Sequence, residues 1–309
     1  MNPPQYITIF GRNIYLYGII IAIGFLLAFA YGFRRVRQFG LTSDQLTDAI
    51  LFAVPMAIVG ARLYYVIFYW ELFRDDPISI LYIWNGGLAI YGGVIGAVLG
   101  LLLFSKIKKV SMLPCLDIAG LGLLIGQSVG RWGNFTNREA YGAQIFDDFF
   151  LRMGLTGANG VTTYWHPTFL YESVWNLIGF VILHFASKKR KYDGKVFLLY
   201  LAWYGLGRAW IEGLRTDSLW LFGTGIRVSQ LLAAVSCLGA IGVMLYIHFV
   251  KKPDGSGMLV NRIKAADAES AEAQREQTES AEAEAEESAE AQTEQTTADD
   301  AKQTVTTEG

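Results

Sequence analysis

Long apolar stretches separated by short polar connections occupy the first 250 or so residues of this chain. A helix needs about 20 predominantly apolar residues to cross the hydrocarbon of a bilayer. About seven stretches of that length can be drawn, roughly 14–33, 47–70, 88–105, 113–132, 168–187, 195–214 and 227–250. The pattern predicts an all-α polytopic membrane protein. The connections after the first, third, fifth and seventh stretches are basic ("RRVRQ", "KIKK", "KKRKYDGK", "KK"), whereas the others are mixed or acidic, such as "ELFRDD". Basic loops stay on the cytoplasmic side, so the N-terminus is expected outside and the C-terminus in the cytoplasm. The membrane domain then covers residues 1–252 and a tail covers 253–309.

This orientation gathers the unusual polar segments on one leaflet. "GRWGNFTNREAYG" (130–142) closes the fourth stretch and leads into an extracytoplasmic loop or small subdomain at 143–166. "WNGGLAIYGG" enters the third stretch, "HPTFLYE" the fifth, and "GLGRAWIEGLRTDS" closes the sixth.

Composition strengthens the membrane reading: 52% of residues are hydrophobic, well above the average for soluble chains. Charge divides the chain. Residues 1–264 carry 24 basic against 14 acidic residues, and residues 265–309 carry 2 against 14. The acidic tail has no aromatic residue and only Val305 as a large aliphatic, too little apolar surface to offset the entropy of ordering, so it is expected to be disordered. The first apolar stretch is followed, not preceded, by its basic cluster and lacks a small-residue cleavage site; it is expected to remain in the mature protein. Cys115 and Cys237 lie far apart in apolar surroundings and read as small core residues.

Charged groups inside apolar stretches cost about 2.5–3.5 kcal/mol each at a helix centre, which makes each a candidate for function. Arg62, Asp117, Glu172, Arg208 and Glu212 qualify. Arg208 and Glu212 share a helical face and can pair. Arg131, Arg208 and Arg215, with Arg62 as a further member, form a cationic cluster that pairing with Glu139 and Glu212 does not exhaust. The guanidinium fork suits phosphate, which points to an anionic lipid headgroup, with Asn134 and Asn137 as neutral partners. Gly92, Gly96, Gly100 and Gly122, Gly126, Gly130 recur every four residues and read as ribs for close helix packing. His166, His184 and His248 share no helical face, so no metal is expected. Tyr91 reads either as an interfacial aromatic or as a hydroxyl facing a ligand.

The motif "GRWGNFTNREAYG" resembles the signature of the bacterial prolipoprotein diacylglyceryl transferases, Gly-Arg-x-Gly-Asn-Phe-x-Asn-x-Glu-x-x-Gly, at every fixed position. "YLYG", "GARLYYV", "HPTFLYE" and "YGLGRAWIEGLR" extend the resemblance over about 14–250. It implies transfer of the diacylglyceryl group of phosphatidylglycerol to the lipobox cysteine of a preprolipoprotein signal peptide, in a bacterial cell membrane. No cofactor and no nucleic-acid partner is implied. Arg131 and Arg208 would stabilise the departing phosphate. Asn134, Asn137, Glu139, Glu212 and Arg215 would order the headgroup pocket, with Tyr17 and Asp117 behind them. The sequence departs from the pattern at two places: Tyr91 stands where many members carry a histidine proposed as base, and Phe169 where many carry glutamine. Tyr91 is expected to line the site, with the arginine field activating the thiol. The competing class is a transporter or channel for an anionic solute or lipid, against which the lack of an internal repeat counts.

Overall fold

The structure is a computed structural model and describes residues 2–157, 159–214, 227–275 and 277–278. It falls into two compact units, 1–260 and 261–309.

In the first unit each predicted apolar stretch forms a helix: α1 (Leu16–Arg35), α2 (Ser43–Phe68), α3 (Ile90–Lys108), α4 (Met112–Asn137), α5 (Thr168–Ser187), α6 (Lys195–Ile211) and α7 (Val228–Tyr246). Among the described residues six helices are long and apolar enough to cross a membrane, all but α6. Helix α6 has 17 residues and tightens into a 3₁₀ turn, Glu212–Leu214. A backbone that satisfies its own hydrogen bonds is what hydrocarbon demands, and helices do so within one segment.

Polarity is arranged inside out. Leu26, Ile67, Ile90 and Leu238 are exposed, while Arg62, Asp117, Glu172, Asn176 and Glu212 are buried. Lipid solvates the first group; the second must find partners within the bundle. Helix α4 is the central post, packing against α1, α5 and α6, and half of its apolar window is buried against 11% for α1. Helices α2 and α3 form a tight pair along the predicted glycine rib, and α6 pairs with α7. Helices α5 and α6 lock through Trp175 and Trp203, whose rings stack at 4.4 Å. Each indole N–H donates to the other's backbone carbonyl, at 3.1 and 3.0 Å.

Two small sheets complete the unit. A hairpin, β1 (Tyr6–Ile9) with β2 (Arg12–Tyr15), precedes α1 and turns at Phe10 and Gly11, both at positive φ, as a two-residue hairpin turn requires. The segment expected as a subdomain at 143–166 is a three-stranded antiparallel sheet in the order β3 (Gln144–Ile145), β5 (Thr162–Trp165), β4 (Met153–Thr156).

The second unit begins within the tail read from composition as disordered. Residues 259–275 are helical and exposed from 262 onward. Alanine and glutamate are strong helix formers, so local propensity supports a helix here without a buried face.

Candidate active site

The site is built where α4, α5 and the end of α6 meet. Polar residues recur at helical spacing on two of these elements: Thr168, Glu172 and Asn176 on α5, and Tyr200, Tyr204, Arg208 and Glu212 along α6 into its final turn. Residues four apart share a face, so each stripe points one way.

Glu172, only 4% exposed, is the centre of the group. One carboxylate oxygen lies 2.5 Å from Nη2 of Arg131 on α4, and the other accepts from Nη1 of Arg208 on α6 at 3.1 Å. Nη2 of Arg208 reaches Glu212 at 2.6 Å, the i,i+4 pair expected from sequence. Both arginine side chains keep a little under a fifth of their surface exposed while both carboxylates are almost wholly covered, so the guanidinium groups form the open face. Two arginines from separate helices thus converge on one carboxylate, held by ion pairs in a fixed geometry.

The signature motif supplies the rim. Arg131 donates to Oδ1 of Asn134 at 3.3 Å, Asn134 donates to Glu139 at 3.0 Å, and Asn137 reaches the same oxygen at 3.5 Å. The chain can fold Glu139 back because Arg138 ends α4 in the left-handed region (φ 56°) and Ala140 adopts it again (φ 55°). This conformation strains a non-glycine residue and persists where surroundings hold it. They do so here: Glu139 N–H bonds to Asn134 O at 3.1 Å, and Thr168 Oγ1 donates to the Ala140 carbonyl. The segment that follows is tied to the residues leading into α5 by Gly142 N–H to His166 O (2.9 Å) and to the 3₁₀ turn after α6 by Ala143 N–H to Leu214 O (2.9 Å).

Behind the rim, Tyr17 of α1 lies flat on Gly133, where an added Cβ would come within 2.8 Å of its ring. Phe169, at the position where the resemblance leads one to expect glutamine, is buried and stacks on Phe135 at 4.8 Å with Trp132 edge-on at 5.5 Å. Beside Glu172 is a pocket lined by Glu172, Trp175, Asn176, Tyr204, Gly207, Arg208 and Ile211. Asn176 is 2% exposed, and its Oδ1 has no donor within the described residues.

Several expected members are elsewhere. Asp117 lies fourteen residues along α4 from Arg131, about 21 Å away at 1.5 Å per residue. It caps α6, accepting the N–H groups of Gly194 (2.8 Å) and Phe197 (2.9 Å), a favourable place for a carboxylate at a helix N-terminus. It is therefore a scaffold residue, not a neighbour of the arginine pair. Arg62 is likewise outside the cluster. Its guanidinium donates to the carbonyls of Ser79, Ile80, Gly86 and Gly87 at 2.7–3.0 Å and sits over Phe73 at 4.9 Å, pinning the segment between α2 and α3. Tyr91 is 43% exposed at the head of α3, beside Tyr64 of α2, and makes no described contact with Arg131 or Arg208. The ring of His166 bonds to Tyr171 at 3.2 Å and packs on Phe149. Arg215 lies outside the described residues.

Sequence reasoning made Glu172 a candidate for its charge but assigned it no role in the headgroup pocket, and it overlooked Asn176 and Tyr204. The signal was present as polar residues four apart within apolar helices, which mark a face turned away from lipid.

A helical membrane protein with an arginine–glutamate network buried among three helices at one end of its bundle defines the general class. Comparison with known proteins specifies it. The profile of the family described as prolipoprotein diacylglyceryl transferase matches residues 4–246. A phosphatidylglycerol–prolipoprotein diacylglyceryl transferase of Enterococcus faecalis is 46% identical over 246 residues, covering 77% of this chain and 87% of that relative. Proteins of the same name from Lysinibacillus sphaericus and Listeria monocytogenes are 43% identical over 244 residues (77% and 89% covered) and 40% identical over 260 (81% and 91%). The chain belongs to the prolipoprotein diacylglyceryl transferase family: it is a multi-pass bacterial membrane enzyme, a transferase of lipoprotein biosynthesis.

Proposed function

We propose that this chain moves the sn-1,2-diacylglyceryl group of phosphatidylglycerol onto the lipobox cysteine of preprolipoproteins, with Arg131 and Arg208 as the clamp for the phosphate. The cysteine sulfur attacks the lipid carbon that carries the phosphate ester. An S–C bond forms, the C–O bond breaks, and glycerol phosphate departs with the electron pair. Negative charge gathers on the phosphate as the bond breaks, so cations already fixed in place lower the barrier without reorganising. The observation that carries this reading is the bridging of one carboxylate by two arginines from different helices.

Asn134, Asn137 and Glu139 form the rim that orients the headgroup, Glu212 holds the second arginine, and Tyr17 supports the signature helix from behind. Arg215 is placed in the pocket on its motif alone. The bundle is taken to have seven spans with the site facing the outer leaflet, as the basic loops require. The nucleophile belongs to the substrate, so Cys115 and Cys237 have no part in the reaction.

The test is to incubate the full chain in detergent with phosphatidylglycerol and a synthetic lipobox peptide, and to weigh the peptide. The expected result is a diacylglyceryl mass gain, reduced on the order of 100-fold or more in Arg131→Ala and in Arg208→Ala. No mass gain with the wild-type chain would overturn the reading. Anion flux in proteoliposomes without peptide modification would support the transporter instead.

A further inference from the structure

We infer that Arg138 is a positioning residue for the headgroup pocket: by gripping the main chain of Pro3 it holds its own backbone in the left-handed conformation that turns Glu139 back over Asn134 and Asn137. The inference rests on the function proposed above, which sets those three residues around the lipid headgroup.

The backbone at residue 138 decides where Glu139 goes. Left-handed backbone ends α4 there (φ 56°), and the Glu139 carboxylate then accepts from the side chains of Asn134 and Asn137. Had the helix continued, at about 100° per residue, Glu139 would stand about 200° round from Asn137 and about 140° from Asn134, facing away from both. Glycine usually fills such a helix-ending position because it has no Cβ to clash. An arginine there has to be held. Part of the hold is the cap itself, with Arg138 N–H bonded to Phe135 O and Glu139 N–H to Asn134 O, both at 3.1 Å.

The rest comes from 135 residues earlier in the sequence. Nε and Nη2 of Arg138 both donate to the carbonyl of Pro3, at 3.3 and 2.8 Å. Pro3 is buried, and it is tied down on both sides. The Asn2 side chain donates to the Thr156 carbonyl at 2.8 Å and accepts the Thr156 N–H at 2.9 Å, as a neighbouring strand would. Gln5 reaches the Asn137 carbonyl at 3.4 Å, and its own carbonyl accepts the N–H of Leu16, next to Tyr17. Residues 2–5 thus form a strap from β4 across the end of α4 to the start of α1. Neither side of the Arg138–Pro3 contact is fixed by the family pattern: the signature leaves position 138 open, and the matching profile starts at residue 4. The strap is how this chain places Glu139 without a glycine.

The test measures KM for phosphatidylglycerol and kcat from the mass gain of the lipobox peptide, with the full chain in detergent. Arg138→Ala loses the grip and resists the left-handed conformation. Its KM should rise about 10-fold, the scale of one lost hydrogen bond to a charged group, while kcat stays within about 2-fold because the arginine clamp is untouched. Arg138→Gly also loses the grip but adopts that conformation freely, so its KM should stay within about 3-fold of wild type. Asn2→Leu frees the strap from Thr156; it should raise KM about 3-fold when Arg138 is present and leave KM unchanged in Arg138→Gly. Equal KM values for the alanine and glycine variants would overturn the inference whatever their melting temperatures, since a merely structural staple is lost in both alike. Should Arg138→Ala fail to fold, Asn2→Leu decides: an equal rise in KM with Arg138 and with Arg138→Gly, or none with either, would overturn it as well. A wild-type chain that adds no mass to the peptide would refute the underlying function, a distinct outcome.

Discussion

The glycine ribs give the sharpest contrast between two sites that look alike in sequence. Gly96 on α3 and Gly126 on α4 each stand in the middle of three glycines spaced four residues apart. Replacing either by alanine adds one methyl group. At Gly96 the new Cβ would lie 2.1 Å from the Met56 carbonyl oxygen and 3.1 Å from the Ala57 Cα, both backbone atoms of α2. Neighbouring positions in the rib are as tight, 2.3 Å at Gly92 and 2.5 Å at Gly100. Backbone cannot rotate aside as a side chain can, so α2 and α3 must part by roughly an ångström, and overpacking of this kind costs typically about 1–3 kcal/mol. A main-chain clash belongs at the upper end. Alanine returns about 1 kcal/mol in helix propensity, which leaves a net loss of about 2 kcal/mol. At Gly126 an added Cβ meets nothing within 4 Å, so only the propensity gain applies and stability should hold or rise by up to about 1 kcal/mol. Thermal unfolding of the two single variants in the same detergent checks this. Equal midpoints for Gly96→Ala and Gly126→Ala would refute the close-packing argument.

Two further outcomes are expected at the end of the bundle away from the arginine pair. Asp117→Ala leaves the N–H groups of Gly194 and Phe197 without their acceptor, so stability should fall by about 1–3 kcal/mol while KM for the lipid stays unchanged; a raised KM at unchanged stability would return Asp117 to the headgroup pocket. In the loop between α5 and α6, burial holds Asp193 above the usual carboxylate range, offset in part by the Leu259 N–H and Arg190. A raised folded-state value means that its contribution is fully present in acid and is lost as pH rises through that value. The melting temperature of the wild type relative to Asp193→Asn should therefore be highest in acid and decline as pH increases; a difference that grows with pH would show the opposite sign.

The contrast between ribs also marks how far sequence reasoning reaches. Spacing identified both glycine series, but how closely a second backbone approaches each of them depends on which helices pair and how. Similarly, five buried or partly buried charges were legible as anomalies in apolar helices: Arg62, Asp117, Glu172, Arg208 and Glu212. Apart from the Arg208–Glu212 pair, four residues apart on one face, their partners were not. Arg62 turned out to bind main-chain carbonyls 17–25 residues away, and Asp117 to cap a helix about 80 residues later in the chain. Hydropathy says that a buried charge must be paired, but any complementary group in the bundle would satisfy that demand.

By itself the sequence determined the membrane-embedded helices, since the requirement for about 20 apolar residues and internally bonded backbone is local. It determined the family through the contiguous signature at 130–142, and the alternating direction of the spans put Arg131 and Arg208 at one end of the bundle. Only the tertiary structure decided that Glu172 stands between those arginines, that Asn176 faces an adjoining pocket, and that Tyr91 and Asp117 lie apart from them. The physical reason is range. Hydrophobic period and helix capping act over a few residues, whereas an ion-pair network joining α4, α5 and α6 is fixed by how three helices pack, a property of the whole bundle.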